Sequence, residues 1–303
     1  MRGRRGFALL AALGLLVALS AVGLAVAFRL RVSRLGAANA VEHAQALAAA
    51  QGSVAELRAR LMDRRRGPDR WDRILEQPID TTAVPDARAV ITLRDLGARL
   101  NLNRASEEEL RRLFVALRID AGEADRLAQT IADWRDADDF RRARGAEQEE
   151  YVKRGSPERP RNGDFERLSE LGTVLGMPPE RYTQLRPFLT VHGTGRVNLN
   201  AAERPVVLAL SGMTEPAVKV LSDRRAARRP VRGLSELQSL LPSGAREILL
   251  PRIPELEARV VFETRELEAV SDAQLSGSPV HARVTVLLAR AGDEAVVTWR
   301  QIE

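Results

Sequence analysis

The sequence predicts an α+β protein: a long N-terminal helix, then one small sheet interrupted by a large all-α insertion. Three observations carry that expectation. A charge-free run from Phe7 to Phe28 leads into apolar residues at helical spacing as far as Leu61. Strand-like segments lie both before residue 103 and after residue 256. Between them the apolar residues keep a helical period. With 303 residues, 45% of them hydrophobic and 29% charged, the chain can bury a sizeable core and is not a disordered sequence.

Each element has its own signal. The 22 residues Phe7 to Phe28 are bracketed by Arg2, Arg4 and Arg5 on one side and Arg29, Arg31 and Arg34 on the other. As a helix they span roughly 33 Å, the thickness of a bilayer's hydrocarbon. A retained single span fits that length. A cleaved secretory signal could use Ala25-Val26-Ala27, and a twin-arginine signal could use Arg4-Arg5. Beyond the span, Leu47, Val54, Leu57 and Leu61 share one helical face, and Gly67-Pro68 stops the pattern. A continuous helix from Phe7 to Leu61 would be a rod of roughly 80 Å; the alternative is a bare anchor and a separate helix joined at Gly36.

After a connecting stretch with Pro78 and Pro85, Ala89 to Leu93 reads as a strand and Arg99 to Leu102 as a second, shorter one. Ser106 with Glu109 three residues on is a capping box opening a helix. An internal echo follows: Arg99-Leu100-Asn101-Leu102-Asn103-Arg104-Ala105 matches Arg196-Val197-Asn198-Leu199-Asn200-Ala201-Ala202 at an offset of 97. The second copy leads to a turn at Ser211-Gly212-Met213 like that of a helix-hairpin-helix module. Such a turn either grips a phosphate with its N–H groups or simply lets two helices pack. Arg259 to Phe262 is strand-like, and His281–Leu288 and Ala295–Trp299 flank Ala291-Gly292-Asp293-Glu294 as a β-hairpin.

Composition removes most enzyme chemistry. There is no Cys, so no thiolate nucleophile and no Cys-based zinc site. Only His43, His192 and His281 could act as imidazole bases, and only Lys153 and Lys219 as amines, neither within a P-loop. No constellation of nucleophile and base emerges, and a non-enzymatic protein is expected. The net charge of +6 invites a nucleic-acid reading, but six Arg and no acid lie in residues 1–35. The remainder holds 41 basic and 41 acidic residues, a poor footprint for a duplex binder. No nucleic-acid partner is therefore expected, and a membrane-anchored helix-hairpin-helix DNA receptor is the alternative reading.

Two segments carry a resemblance. Arg4-Arg5-Gly6-Phe7, a short basic leader followed by Gly and by Phe opening an apolar helix, resembles the leader of type IV pilins and pseudopilins. The series Asp133-Trp134-Arg135-Asp136-Ala137-Asp138-Asp139, Gly145-Ala146-Glu147, Tyr151 and Ser169-Glu170-Leu171 resembles the K-type minor pseudopilin of bacterial type II secretion systems. The Asn-rich strand ends and the closing hairpin follow in the same order, so the likeness spans essentially the whole chain. It implies a pilin-like fold, with the long helix packed on a small antiparallel sheet and the α-domain inserted in that sheet. It implies cleavage by a prepilin peptidase between Gly6 and Phe7, with N-methylation of Phe7. It also implies a place at the tip of the pseudopilus beside I-type and J-type minor pseudopilins, with the chain in the inner membrane and its soluble part in the periplasm. The expected divisions are a leader at 1–6, the transmembrane helix at 7–28, helix continuation and first strands at 29–102, the inserted α-domain at 103–255, and closing strands at 256–303. The family's usual Glu at the fifth mature position is here Ala11, a departure shared with the tip subunit.

Asp136, Asp138 and Asp139 place three carboxylates within four residues, and Glu147 follows Gly145, which can fold the loop back. Hard oxygen ligands grouped in this way suit Ca²⁺. Phe140 and Arg141 stand where an EF-hand needs other residues, so this is not that loop. An acidic helix end offset by Arg141, Arg142 and Arg144 is the alternative, and the resemblance favours calcium, with Asp136, Asp138, Asp139 and Glu147 as candidate ligands.

Overall fold

The computed structural model describes residues 3–76, 79–81 and 86–303, with side chains for 12–76 and 86–303. Helix α1 runs unbroken from Gly3 to Met62, 60 residues and so about 90 Å long. Its two halves meet different surroundings. Residues 12–41 are exposed throughout, whereas Ala46, Ala49, Ala50, Ser53, Val54, Leu57 and Leu61 are buried against the sheet. The helix ends before Gly67 because Asp63 turns its carboxylate onto the Arg65 amide and starts a 3-10 turn. Arg70, in the short helix α2 (Arg70–Ile74), reaches back to the Leu61 carbonyl left open at that end.

The sheet has five antiparallel strands in the order β1 (Ile79–Thr81), β2 (Ala87–Asp95), β7 (Glu266–Leu275), β8 (His281–Ala291) and β9 (Glu294–Ile302). The central strand β7 has no counterpart among the sequence expectations. Its buried face carries Leu267, Ala269, Ser271 and Ala273, too small a set of side chains to give a clear alternation. Those small residues oppose Ala49, Ala50 and Ser53 of α1, and the Ser53 and Ser271 hydroxyls meet at 2.7 Å in the core. Trp71 from α2 completes this helix-on-sheet core.

The chain leaves the sheet at Asp95 and returns at Glu266. The intervening block is therefore wider than the expected 103–255. It holds nine helices among the described residues: α3 (Glu107–Ala116), α4 (Ala121–Arg135), α5 (Gln148–Lys153), α6 (Pro179–Leu185), α7 (Arg204–Ala209), α8 (Glu215–Ala226), α9 (Leu234–Leu240), α10 (Ser243–Leu249) and α11 (Ile253–Arg259). It has its own hydrophobic core. The strands at 100–102 and 260–262 do not join the main sheet. Strand β3 (Leu100–Asn101) pairs in parallel with β4 (Leu189–Thr190), and β5 (Val197–Asn198) with β6 (Val260–Val261). Two-residue apolar segments carry no information about which partner they will find, so sequence placed both in the larger sheet.

Candidate functional site

The echoed segments fold as two copies of one device. The Asn101 side-chain oxygen accepts from the Asn103 amide at 2.9 Å, and that of Asn198 from the Asn200 amide at 3.1 Å. Asn103 then clamps Phe165 through both its N–H and its carbonyl, and Asn200 clamps Val231 in the same way. Each copy leads into a helical hairpin, α3–α4 and α7–α8. Arg135 from α4 donates to the Ala105 carbonyl and Arg225 from α8 to the matching Ala202 carbonyl. Side-chain amides with both donor and acceptor can replace a missing strand partner, which is why Asn stands at all four positions.

Neither hairpin offers its amides to a phosphate. In the first, the Asp120 carboxylate accepts from the Gly122 and Glu123 N–H groups at the start of α4, filling that position with negative charge. In the second, Gly212 adopts φ +76° beneath Arg252, whose Cβ and Cγ lie 2.9 Å from where a Gly212 Cβ would stand. The glycine there serves close packing of the turn. The geometry thus argues against the DNA-receptor alternative.

The acidic loop is organised around a residue that the candidate set omitted. Asp133 on α4 is fully buried and accepts from Arg142 Nη1 at 2.6 Å. Arg142 also pairs with Asp136 and, at 3.3 Å, with Glu107. The signal was present in the sequence: Asp133 lies beside Trp134 on a helix whose neighbouring Thr130 and Ile131 are core residues. Gly145 packs directly over the Asp133 carboxylate, so the loop does fold back at that glycine. Trp134 stacks on Phe165 at 5.7 Å and lies 6.1 Å from Tyr151, which anchors the returning chain.

The four candidate ligands are unequal. Asp138 accepts from the Phe140 amide at 2.9 Å, and Asp139 from Asn162 at 2.9 Å. Glu147 is buried, and neither of its carboxylate oxygens has a partner; Asp136 Oδ1 is likewise buried and unpaired. Burial, then the charges of Asp133, Asp136, Asp139 and Asp138, push the Glu147 carboxyl up to about 7. Among the described residues no three such side chains already converge as an ion cage. Gly6 and Phe7 lie within α1, but the side chains of Phe7 and Ala11 fall outside the described residues.

Residues 90–194 match the family model for type II secretion system (T2SS), protein K. That segment runs from β2 through the acidic loop to the turn after β4, so it contains the Asp133–Glu147 geometry. Over that segment the chain is similar to type II secretion system protein K. Among the relatives of protein K, one from Pectobacterium carotovorum subsp. carotovorum is 27% identical over 186 residues, 59% of this chain and 54% of the relative. Another from Dickeya chrysanthemi is 28% identical over 152 residues, 46% of this chain and 42% of the relative. The chain thus spans about half the length of the curated relatives it matches. A chain in the crystal structure of the GspK-GspI-GspJ complex from the enterotoxigenic Escherichia coli type 2 secretion system superposes with a TM-score of 0.62 at 20% identity, covering 91% of this chain and 99% of that one. The chain therefore shares that fold: a long N-terminal helix, a small antiparallel sheet and many helices. The second Asn-clamped hairpin, from Val197 onward, lies beyond the family-model segment.

Proposed function

We propose that this chain is a structural, non-enzymatic minor pseudopilin at the tip of a type II secretion pseudopilus, where it initiates or caps the filament. One observation carries the reading: α1 is a single helix whose apolar residues 12–28 are exposed while its second half packs into the core against a sheet. An apolar helix without a protein partner needs either lipid or the equivalent helices of other subunits to cover it. Residues 7–28 would hold the chain in the inner membrane before assembly and pack among neighbouring helices afterwards, with the folded part in the periplasm. The partners would be I-type and J-type minor pseudopilins, in keeping with the complex whose fold the chain shares. The block at 96–265, carried on two chain crossings, would prevent another subunit from stacking above. The test is the intact mass of membrane-extracted chain after co-expression with a prepilin peptidase. A product starting at methylated Phe7 supports the reading, and one starting at Met1 or Phe28 refutes its first step.

Calcium belongs to the same proposal. The unpaired oxygens of Glu147 and Asp136 are hard donors left in a buried, net negative setting, and they fit a divalent cation. Glu147 and Asp136 would hold it, with Asp138 and Asp139 turning inward from their exposed loop. Bound there, the ion would cross-link the loop to α5 and do no chemistry.

A further inference from the structure

Beside the neck where the chain enters and leaves the insertion, a cleft of about 900 Å³ opens between α2 and the loop joining α8 to α9. The last turn of α8 and that loop are unusually basic, with Arg224, Arg225, Arg228, Arg229 and Arg232 within nine residues. The first two have structural work: Arg224 pairs with Glu236, and Arg225 caps the Ala202 carbonyl. The guanidinium groups of Arg228, Arg229 and Arg232 are exposed; Arg228 and Arg229 pair with no carboxylate among the described residues, whereas Arg232 lies near Glu236, whose carboxyl is held below its usual range by the Arg232 backbone N–H and then by the charges of Arg224 and Arg232. They are not on a loose segment. Asn200 clamps Val231 between them by two hydrogen bonds of 2.7 and 3.0 Å and also holds the Phe262 carbonyl at 2.7 Å.

The opposing charges are mostly committed. Asp69 pairs with Arg73 at 3.2 Å, Asp72 accepts from the Thr264 N–H and hydroxyl, and Glu263 pairs with Arg265 and Arg290. Glu257 alone is an unpaired carboxylate on this rim. On the other wall, Arg196 gives Nη2 to two carbonyls while its buried Nε–H has no acceptor. Phe262, Pro230 and Val231 supply an apolar floor. Spare cations around apolar surface match carboxylates around an apolar side chain.

A lipid headgroup is too far away. From Phe28 to Met62 the helix rises about 50 Å, several Debye lengths. A duplex would bring its phosphates against Glu257, Asp69 and Glu263, whereas a peptide can place its few carboxylates on the arginines alone. We propose that this cleft docks an extended acidic segment of another protein chain, its carboxylates on Arg228 and Arg232, which line the cleft, with Arg229 beside them on the same loop, and one apolar side chain on Phe262. This inference stands independently of the tip assignment.

The test uses the full chain in nonionic detergent and a fluorescein-labelled peptide of about 12 residues, Glu and Asp with one central Leu, read by anisotropy at about 50 mM salt, where screening is weak. Arg228→Asn with Arg229→Ser and Arg232→Ser should weaken binding at least about tenfold. Asn is chosen because Arg228 has φ +54°. A charge-matched control, Arg154, Arg159 and Arg186→Ser, should change it less than about twofold, because none of the three lines the cleft. Both variants are checked for unchanged melting. The proposal is overturned if the unmodified chain shows no saturable binding or if both triples lose affinity equally. Displacement of the peptide as effectively by duplex DNA of matched charge would also overturn it, in favour of a phosphate site.

Discussion

Replacing Asp95 with Asn should remove a pH dependence built into the neck. Asp95 ends β2, is buried, and accepts from the Gly97 amide at 2.8 Å and Asn198 Nδ2 at 2.7 Å, with the Thr264 hydroxyl, shared with the nearer Asp72, at 3.1 Å. Burial outweighs these donors and raises its carboxyl from 3.8 to about 6, with Asp72 adding to the rise. A raised carboxyl disfavours the charged folded state. Its stabilising contribution is therefore complete below about pH 4 and is lost as pH rises through about 6. A rise of about two units corresponds to at most about 3 kcal/mol between those limits, and relaxation of the neck would reduce that to about 1–3. Asn cannot ionise, so its profile should lack this slope. The amide keeps the Gly97 bond and can donate to Thr264, whose own proton goes to Asp72 at 2.7 Å, but it faces the Asn198 donor. That mismatch costs about 1 kcal/mol at every pH. The variant should be the less stable protein at pH 5 and should draw level or overtake by pH 7.5. Urea midpoints of the full chain in detergent, followed through buried Trp71, measure the difference. Parallel profiles for the two proteins would refute the reasoning, because every other titrating group is common to both.

Calcium chloride should raise the melting temperature of the unmodified chain, and Glu147→Gln should abolish the shift; an equal shift in both would place the ion elsewhere. Gly145→Ala should cost about 2–4 kcal/mol by driving a methyl group into the Asp133 carboxylate, read as a fall in urea midpoint. A loss below about 0.5 kcal/mol would mean that the loop is not held over Asp133. Ala11→Glu should let the chain sit beneath another subunit, because the added carboxylate could neutralise a neighbour's buried N-terminus. Site-specific crosslinking from the variant would detect a changed neighbour, and an unchanged pattern would remove the argument from that position.

What was legible in the sequence was whatever has a local cause. Arginines flanking 22 apolar residues declare an anchor, Ser106 and Glu109 declare a helix start, and an Asn-x-Asn repeat declares a duplicated device. The acidic loop was found for the same reason, through three carboxylates in four residues and a glycine that lets the chain return. Tertiary structure alone decided which elements meet. Strand β7 is central to the sheet yet hard to read, because the close approach of α1 requires Ala and Ser on its buried face. The short strands at 100 and 260 belong to the insertion because their partners at 189 and 197 come from distant sequence. Asp133 became the centre of the acidic loop, and Glu147 its unsatisfied member, only through burial. A carboxylate's chemistry depends on the water it has lost and the charges folded around it, and neither is encoded at its own position.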